Sequence, residues 1–142
     1  MIQMHAVARH LVFHGSVVLL FGLLLGVPYA RAIKRNAPPH IVNSWRVAHQ
    51  SLPIGATLMF SVAAVLPMLT ASIRIAWIMA VALIVSAYAF CISTCLAAMT
   101  GQRGLGPGGA GLGKVVYLGN LIGACASAIA AGCLVSVAFV SL

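Results

Sequence analysis

The sequence contains no aspartate and no glutamate, and only 8 of its 142 residues are lysine or arginine. Without carboxylates the chain cannot form a Ser-His-Asp triad, a two-carboxylate glycosidase site or a carboxylate-rich calcium or di-iron site. Proton relays through acidic side chains inside a membrane are excluded as well. Any chemistry must therefore depend on histidine, cysteine, tyrosine, hydroxyl and amide groups, or on a bound cofactor.

Charged residues of either sign are also scarce. They make up 6% of the sequence, and 63% of it is hydrophobic, whereas a soluble domain carries about 25% charged residues. Such a chain cannot cover a surface that faces water, so we predict an all-α integral membrane protein with a single domain over residues 1–142. The cations lie in short connections between apolar runs, and no dense basic face with interleaved aromatic residues is present, so nucleic acid is not an expected partner.

Four apolar runs are long enough to cross a hydrocarbon core of ~30 Å as helices. Their expected bounds are about 8–27, 44–69, 73–100 and 114–140. Pro28 is expected to end the first helix, and Asn43 or Ser44 to cap the start of the second. The glycine-rich segment 101–113 follows no strand and lacks a Walker lysine, so it is interpreted as a loop between helices rather than a phosphate site.

An even number of spans places both chain termini on the same side of the bilayer. The connections on the other side contain six cations, namely Arg31, Lys34, Arg35, Arg46, Arg103 and Lys114, against Arg9 and Arg74 on the side of the termini. The positive-inside rule therefore favours those two connections inside and both termini outside. Glycine pairs at 22 and 26 and at 119 and 123 predict close contacts between helices.

The most informative histidine is His49, in the segment from Trp45 to Gly55. An ionisable residue inside a span is a functional candidate by default, although a histidine that only bonds a neighbouring carbonyl remains the alternative. Pro53 cannot donate to the carbonyl of residue 49, so the helix is expected to bend or open at this turn, with a second bend at Pro67. Gly55 lacks a side chain and would allow a bulky flat group to approach the backbone.

Two further histidines lie on the first helix. His10 and His14 are four residues apart and share one face, about 40° from each other, so they could converge with His49. Histidines on facing helices of a four-helix bundle are a common way to hold haem iron. Either residue could instead lie at the membrane interface. The hydroxyl of Tyr88, in the middle of the third helix, also needs a partner, either in a site or at a carbonyl.

The cysteines form no CxxC motif, and no disulfide is predicted. Their positions are Cys91, Cys95, Cys125 and Cys133, all in apolar runs. Thiols could bind a soft metal such as Cu(I), which leaves a small transporter or soft-metal protein as one hypothesis. Buried cysteine more often packs as a small apolar residue, so the sequence leaves the role of these four open.

The order and spacing of several segments resemble the styrene oxide isomerases, a family of small four-helix membrane proteins. The matching segments are His14-Gly15, the pattern Trp45-x-x-Ala48-His49-x-Ser51-x-Pro53, Leu66-Pro67, and the run from Arg103 to Gly108. From His49 to Arg103 the spacing needs no gap, and the resemblance covers roughly residues 10–115.

The resemblance implies a homotrimer in the cell inner membrane that binds haem b near its subunit interfaces. His49 corresponds to the axial ligand of the iron, and His14 and Gly55 are expected near the cofactor. In that family ferric haem acts as a Lewis acid on a small apolar epoxide. The benzylic C–O bond opens and a hydride shifts to give an aldehyde, so the enzyme is an intramolecular oxidoreductase without a cosubstrate.

Two positions depart from the family. An asparagine and a tyrosine position the epoxide there, and by spacing these correspond to Gly55 and Thr94 here. Tyr88 and Asn120 are the candidates to replace them as catalytic groups. The resemblance therefore predicts haem binding with epoxide isomerisation, and the alternative is a non-catalytic haem protein for electron transfer or sensing. In that alternative His14 or His10 would be a second iron ligand.

Overall fold

The computed structural model describes residues 2–102, 104, 106 and 111–142, with side chains from residue 5 onward. Residues 1, 103, 105 and 107–110 lie outside this description. Arg103 and most of the last matching segment of the resemblance are therefore outside it too. The described elements are α1 (Ile2–Leu24), α2 (Gly26–Lys34), α3 (Pro39–Val65), a 3-10 turn (Leu66–Met68), α4 (Ile73–Thr100) and α5 (Leu112–Val140).

The described residues form helices and no strands. Four helical stretches are long and apolar enough to cross a membrane, namely His5–Lys34, Pro39–Met68, Ile73–Thr100 and Leu112–Val140. This agrees with the prediction of an all-α membrane protein with four spans.

The first span consists of α1 and α2, which are separated by a break at Leu25. Pro28 accounts for the break, because it has no N–H to donate to the carbonyl of Leu24. The helix nevertheless resumes at once, since the N–H of Tyr29 donates to the carbonyl of Leu25 at 3.2 Å. The expectation that Pro28 ends the first helix is therefore wrong. The span continues to Lys34, and the first connection shrinks to residues 35–38.

Helix α3 begins at Pro39, five residues before the expected start at 44. Proline suits the first helical position, because its φ is already helical and its missing N–H would have no partner there. Pro38 occupies the N-cap position without a side-chain cap. The prediction of Asn43 or Ser44 as N-cap is thus wrong. Ser44 lies inside the helix, where its hydroxyl donates to the carbonyl of His40 at 2.8 Å.

The two prolines of the second span behave differently. Helix α3 is continuous through Pro53, so the expected opening beside His49 does not interrupt it. At Pro67 the α-helix has ended and passes into the 3-10 turn. Ser72 then caps α4 by accepting a hydrogen bond from the N–H of Ile75 at 3.4 Å.

The helices pack as an antiparallel bundle in which α1 lies against α3, α4 lies against α5, and both α1 and α3 contact α4. At one end, the N–H of Thr70 donates to the Ser141 hydroxyl at 2.8 Å. At the other end, Gly101 lies against Ile41 and His40. One buried cluster includes Val7, Leu11, Met59, Leu66 and Met79, and a second includes Val18, Leu25, Ala48, Leu52 and Cys91. The start of α1 and the end of α5 therefore lie at the same end of the bundle.

Candidate functional site

The imidazole of His49 is fixed to the first span by a hydrogen bond. Its Nδ1 lies 2.9 Å from the carbonyl oxygen of Gly22, and the residue is partly buried. A carbonyl oxygen can only accept, so Nδ1 carries the proton and Nε2 of the neutral ring keeps its lone pair. This is the arrangement of most metal-bound histidines, whose second nitrogen donates to a carbonyl or carboxylate. The residue therefore fits the role of an axial ligand to haem iron.

Two glycines allow this contact by bringing α1 and α2 close to α3. A Cβ at Gly22 would lie 2.7 Å from Cδ of Pro53, and a Cβ at Gly26 would lie 3.2 Å from Cε1 of His49. The glycine pair that was predicted to permit close helix contact does so at the histidine itself. The Tyr29 ring lies beside the imidazole, with 6.1 Å between ring centroids and 30° between their planes.

A cavity of about 460 Å³ lies on a different face of α3. Residues His49 and Gly55 are six apart, which places them ~120° from each other around the helix. Gly55 lines the cavity and has no atom within 4 Å of the point where a side chain would begin. The remaining lining is mostly apolar, and it includes Val47, Leu52, Ile54, Leu58 and Phe90.

The polar residues of the lining are Ser51, Ser86, Thr94, Asn120 and Ser127. The Thr94 hydroxyl donates to the carbonyl of Phe90, one turn earlier in α4, at 2.6 Å. Of the two residues expected to replace the family's catalytic groups, Asn120 lines the cavity and Tyr88 is absent from its lining.

Tyr88 instead contacts the first helix. Its hydroxyl lies 3.0 Å from Nδ1 of His14, and the two rings meet edge to face. His10 stacks on His14 with 6.1 Å between ring centroids and also contacts Trp77. These side chains form a polar cluster between α1 and α4 that is separate from the cavity.

The three histidines do not converge. His49 contacts Gly22, which lies eight residues after His14, or ~12 Å further along α1. Within the part of the chain that the structure describes, no group of three or more histidines or cysteines could hold a metal ion. The expectation that His10 and His14 meet His49 is therefore wrong, and a role for His14 near the cofactor stays a prediction.

All four cysteines are free thiols. Cys91 is buried in the same cluster as Leu52, and the partly buried Cys95 packs against it. Cys133 packs against the other cluster, and Cys125 is exposed. Three of the four cysteines therefore lie at packing positions, and the described residues contain no group of three histidines or cysteines that could hold a metal ion.

Several residues around His49 were not identified from the sequence as parts of its site. Gly22 and Gly26 were recognised as contact residues, but the sequence did not show which helix they contact. Tyr29 has only the general signature of an aromatic residue near a membrane surface. Phe90, in the cavity wall, has no distinguishing signal because apolar residues fill the whole span. Which helix faces meet is set by the rotation of each helix, and one sequence does not encode that rotation in a readable form.

Comparison with known proteins identifies the family. The family model for styrene oxide isomerase matches residues 7–139, which is nearly the whole chain. No curated protein and no solved structure gives a significant match. The match includes α3 with His49 and all the described residues that line the cavity. The chain therefore belongs to the styrene oxide isomerase family.

Proposed function

We propose that the protein binds haem b through His49 and isomerises a small apolar epoxide to an aldehyde. The observation that carries the proposal is the hydrogen bond from His49 Nδ1 to the Gly22 carbonyl, which leaves Nε2 available to iron. Family membership supports the same reaction class. The absence of acidic residues also suits this chemistry, because no protein carboxylate is needed.

When bound, ferric haem supplies a Lewis acid, so that an epoxide C–O bond can open and a hydride can shift to the adjacent carbon, giving an aldehyde without a cosubstrate. The Gly22 carbonyl holds the His49 ring in one orientation and one tautomer. The apolar walls around Gly55 and Phe90 exclude water, which would otherwise add to the opened epoxide. Asn120 is the amide that we assign to orient the substrate.

His49 and the cavity, the two parts of the proposed site, lie on different faces of α3. One subunit alone therefore does not bring them together, and the oligomeric state matters. Val47, Ile54 and Leu58 line the cavity and are themselves 47%, 69% and 50% exposed, so the cavity opens on the outer surface of the bundle. We therefore propose the homotrimer that the resemblance implies, in which a second copy packs against this surface and presents its His49 and haem to the cavity of the first. Each site would then be shared by two subunits.

A second candidate function is haem binding without isomerisation. It is favoured by Gly55, which offers no polar side chain, and by Thr94, whose hydroxyl hydrogen is bonded to its own helix. The form of this candidate with two histidine ligands would need a second axial ligand beside His49. Since His10 and His14 do not reach His49 within one subunit, that ligand would come from outside it.

Conversion of styrene oxide by the purified, haem-loaded protein tests the proposed activity. Aldehyde formation without added reductant or cosubstrate supports isomerisation, and it should be lost in His49→Ala. His40→Ala is the matched control, because His40 is exposed on the first turn of the same helix. A haem-loaded protein that forms no aldehyde from styrene oxide or related aryl epoxides would instead support the second candidate.

A further inference from the structure

Four cations surround the connection between α2 and α3. Arg31, Lys34 and Arg35 lie at the end of α2, Arg46 lies in the second turn of α3, and all four are exposed. The sequence has no acidic side chain with which any of them could pair. This end of the bundle therefore presents a concentrated positive charge that only a group from outside the chain can neutralise.

The same connection forms a notch of about 370 Å³. One part of its wall is apolar and consists of Ile33, Ala37, Pro39 and Val42, and the other part is polar and consists of Asn36, Asn43 and Arg46. The Arg46 guanidinium donates to Oδ1 of Asn43, which also belongs to the lining. Since a guanidinium has five N–H donors, this bond leaves others for a ligand.

The turn that closes the notch depends on Asn36. Its φ is 50°, in the left-handed region, which asparagine tolerates better than most residues. The N–H of Ala37 donates to the carbonyl of Ala32 at 3.0 Å, so the chain reverses within residues 35–38. The notch lies where two spans end, which is the level of lipid headgroups.

We propose that this notch binds the phosphate group of an anionic phospholipid. The phosphate would accept hydrogen bonds from Arg46, while Ile33 and Val42 would contact the start of an acyl chain. The adjacent N-terminus of α3 has no side-chain cap, and its positive end favours an anion at the same place. Clusters of lysine and arginine beside a span attract anionic lipids in general. The notch gives one of these cations, Arg46, a defined binding position for a lipid phosphate.

Retention of lipid by the purified protein in mixed micelles tests the proposal. Phosphatidylglycerol and phosphatidylcholine are offered in equal amounts, and native mass spectrometry counts the bound lipid. The wild type should retain phosphatidylglycerol selectively. Arg46→Gln should lower that retention about fivefold, the effect expected for one cation near the membrane surface. Arg46→Lys should recover only part of it, because an ammonium lacks the planar set of donors.

Two control variants separate the notch from charge in general. Lys34→Gln removes a cation from the same end of the bundle, outside the notch lining, and Arg74→Gln removes one at the start of α4, at the opposite end. Both should retain more phosphatidylglycerol than Arg46→Gln. Equal losses in all three, or no lipid selectivity in the wild type, would overturn the proposal.

A haem propionate is the competing occupant, because Arg46 lies only one turn before His49. His49→Ala should therefore retain phosphatidylglycerol as the wild type does, whether or not the protein binds haem. If Arg46→Gln loses haem and keeps its lipid, the notch belongs to the cofactor and the lipid assignment is wrong. Size-exclusion elution and helical content of each variant establish that it has folded.

Discussion

Substitution of Gly22 by alanine tests the close contact between α1 and α3. The new Cβ would lie 2.7 Å from Cδ of Pro53 and 2.9 Å from Cβ of Leu52, both shorter than any ordinary carbon–carbon contact. Neither neighbour is the end of a flexible side chain, because one is a proline ring and the other a Cβ. The helices must therefore separate by several tenths of an ångström.

The cost can be estimated from three contributions. Overpacking of this kind costs about 1–3 kcal/mol. Separation of the helices also stretches the bond from His49 to the Gly22 carbonyl, which is 2.9 Å long, and losing it costs about 0.5–1.5 kcal/mol. Alanine gains about 1 kcal/mol over glycine in a helix interior. We expect a net destabilisation of about 0.5–3.5 kcal/mol.

Reversible unfolding in mixed micelles, followed by circular dichroism, measures this change. Gly132→Ala is the matched control, since Gly132 is in α5 and has no atom within 4 Å of its Cβ position. It should be neutral or stabilised by up to about 1 kcal/mol. If Gly22→Ala is as stable as Gly132→Ala, α1 and α3 are not packed closely at this point. The hydrogen bond from His49 to the Gly22 carbonyl would then be contradicted as well.

Substitutions at other positions separate the histidines from the cavity. Gly26→Ala should shift the haem absorption maxima, because its Cβ would lie 3.2 Å from Cε1 of His49, whereas Gly132→Ala should leave them unchanged because nothing lies within 4 Å and the residue is outside the cavity lining. An unshifted spectrum in Gly26→Ala would count against His49 as the ligand. Tyr88→Phe removes the hydroxyl that His14 contacts at 3.0 Å and should lower stability by about 1 kcal/mol with unchanged haem absorption. A changed spectrum there would place His14 at the iron. Gly55→Asn introduces an amide into the cavity and should raise the isomerisation rate at least ~10-fold at equal haem content. An equal rate would show that this position does not contact the substrate.

The spans could be predicted from composition and run length, because a hydrocarbon core imposes one minimum length on every helix. The ends of the helices were less predictable, and the differences occur at prolines. Pro28 was interpreted as a stop and is only a break, while Pro39 starts a helix that was expected to begin later. A proline removes one donor, and whether the helix stops there depends on the residues packed around it.

Within the site, the sequence singled out His49 but not its contacts. With expected helix starts near 8 and 44, His14 and His49 each lie about five or six residues inside a helix, which made a meeting conceivable. Helices α1 and α3 are antiparallel, however, so the two residues were counted from opposite ends of the bundle. The same limit applies to Gly55, which was expected to lie near the cofactor and which lines a cavity on a different face of α3 from His49. Depth and rotation together decide which side chains meet, and both depend on tertiary packing.

The absorption spectrum of the ferric protein, purified from cells supplied with a haem precursor, shows whether His49 binds haem iron. We predict a Soret band with about one haem b per subunit. That band should be lost or displaced in His49→Ala and unchanged in His40→Ala. A purified protein without a Soret band, or a band that His49→Ala leaves in place and at full height, would contradict the assignment of His49 as the ligand of haem iron.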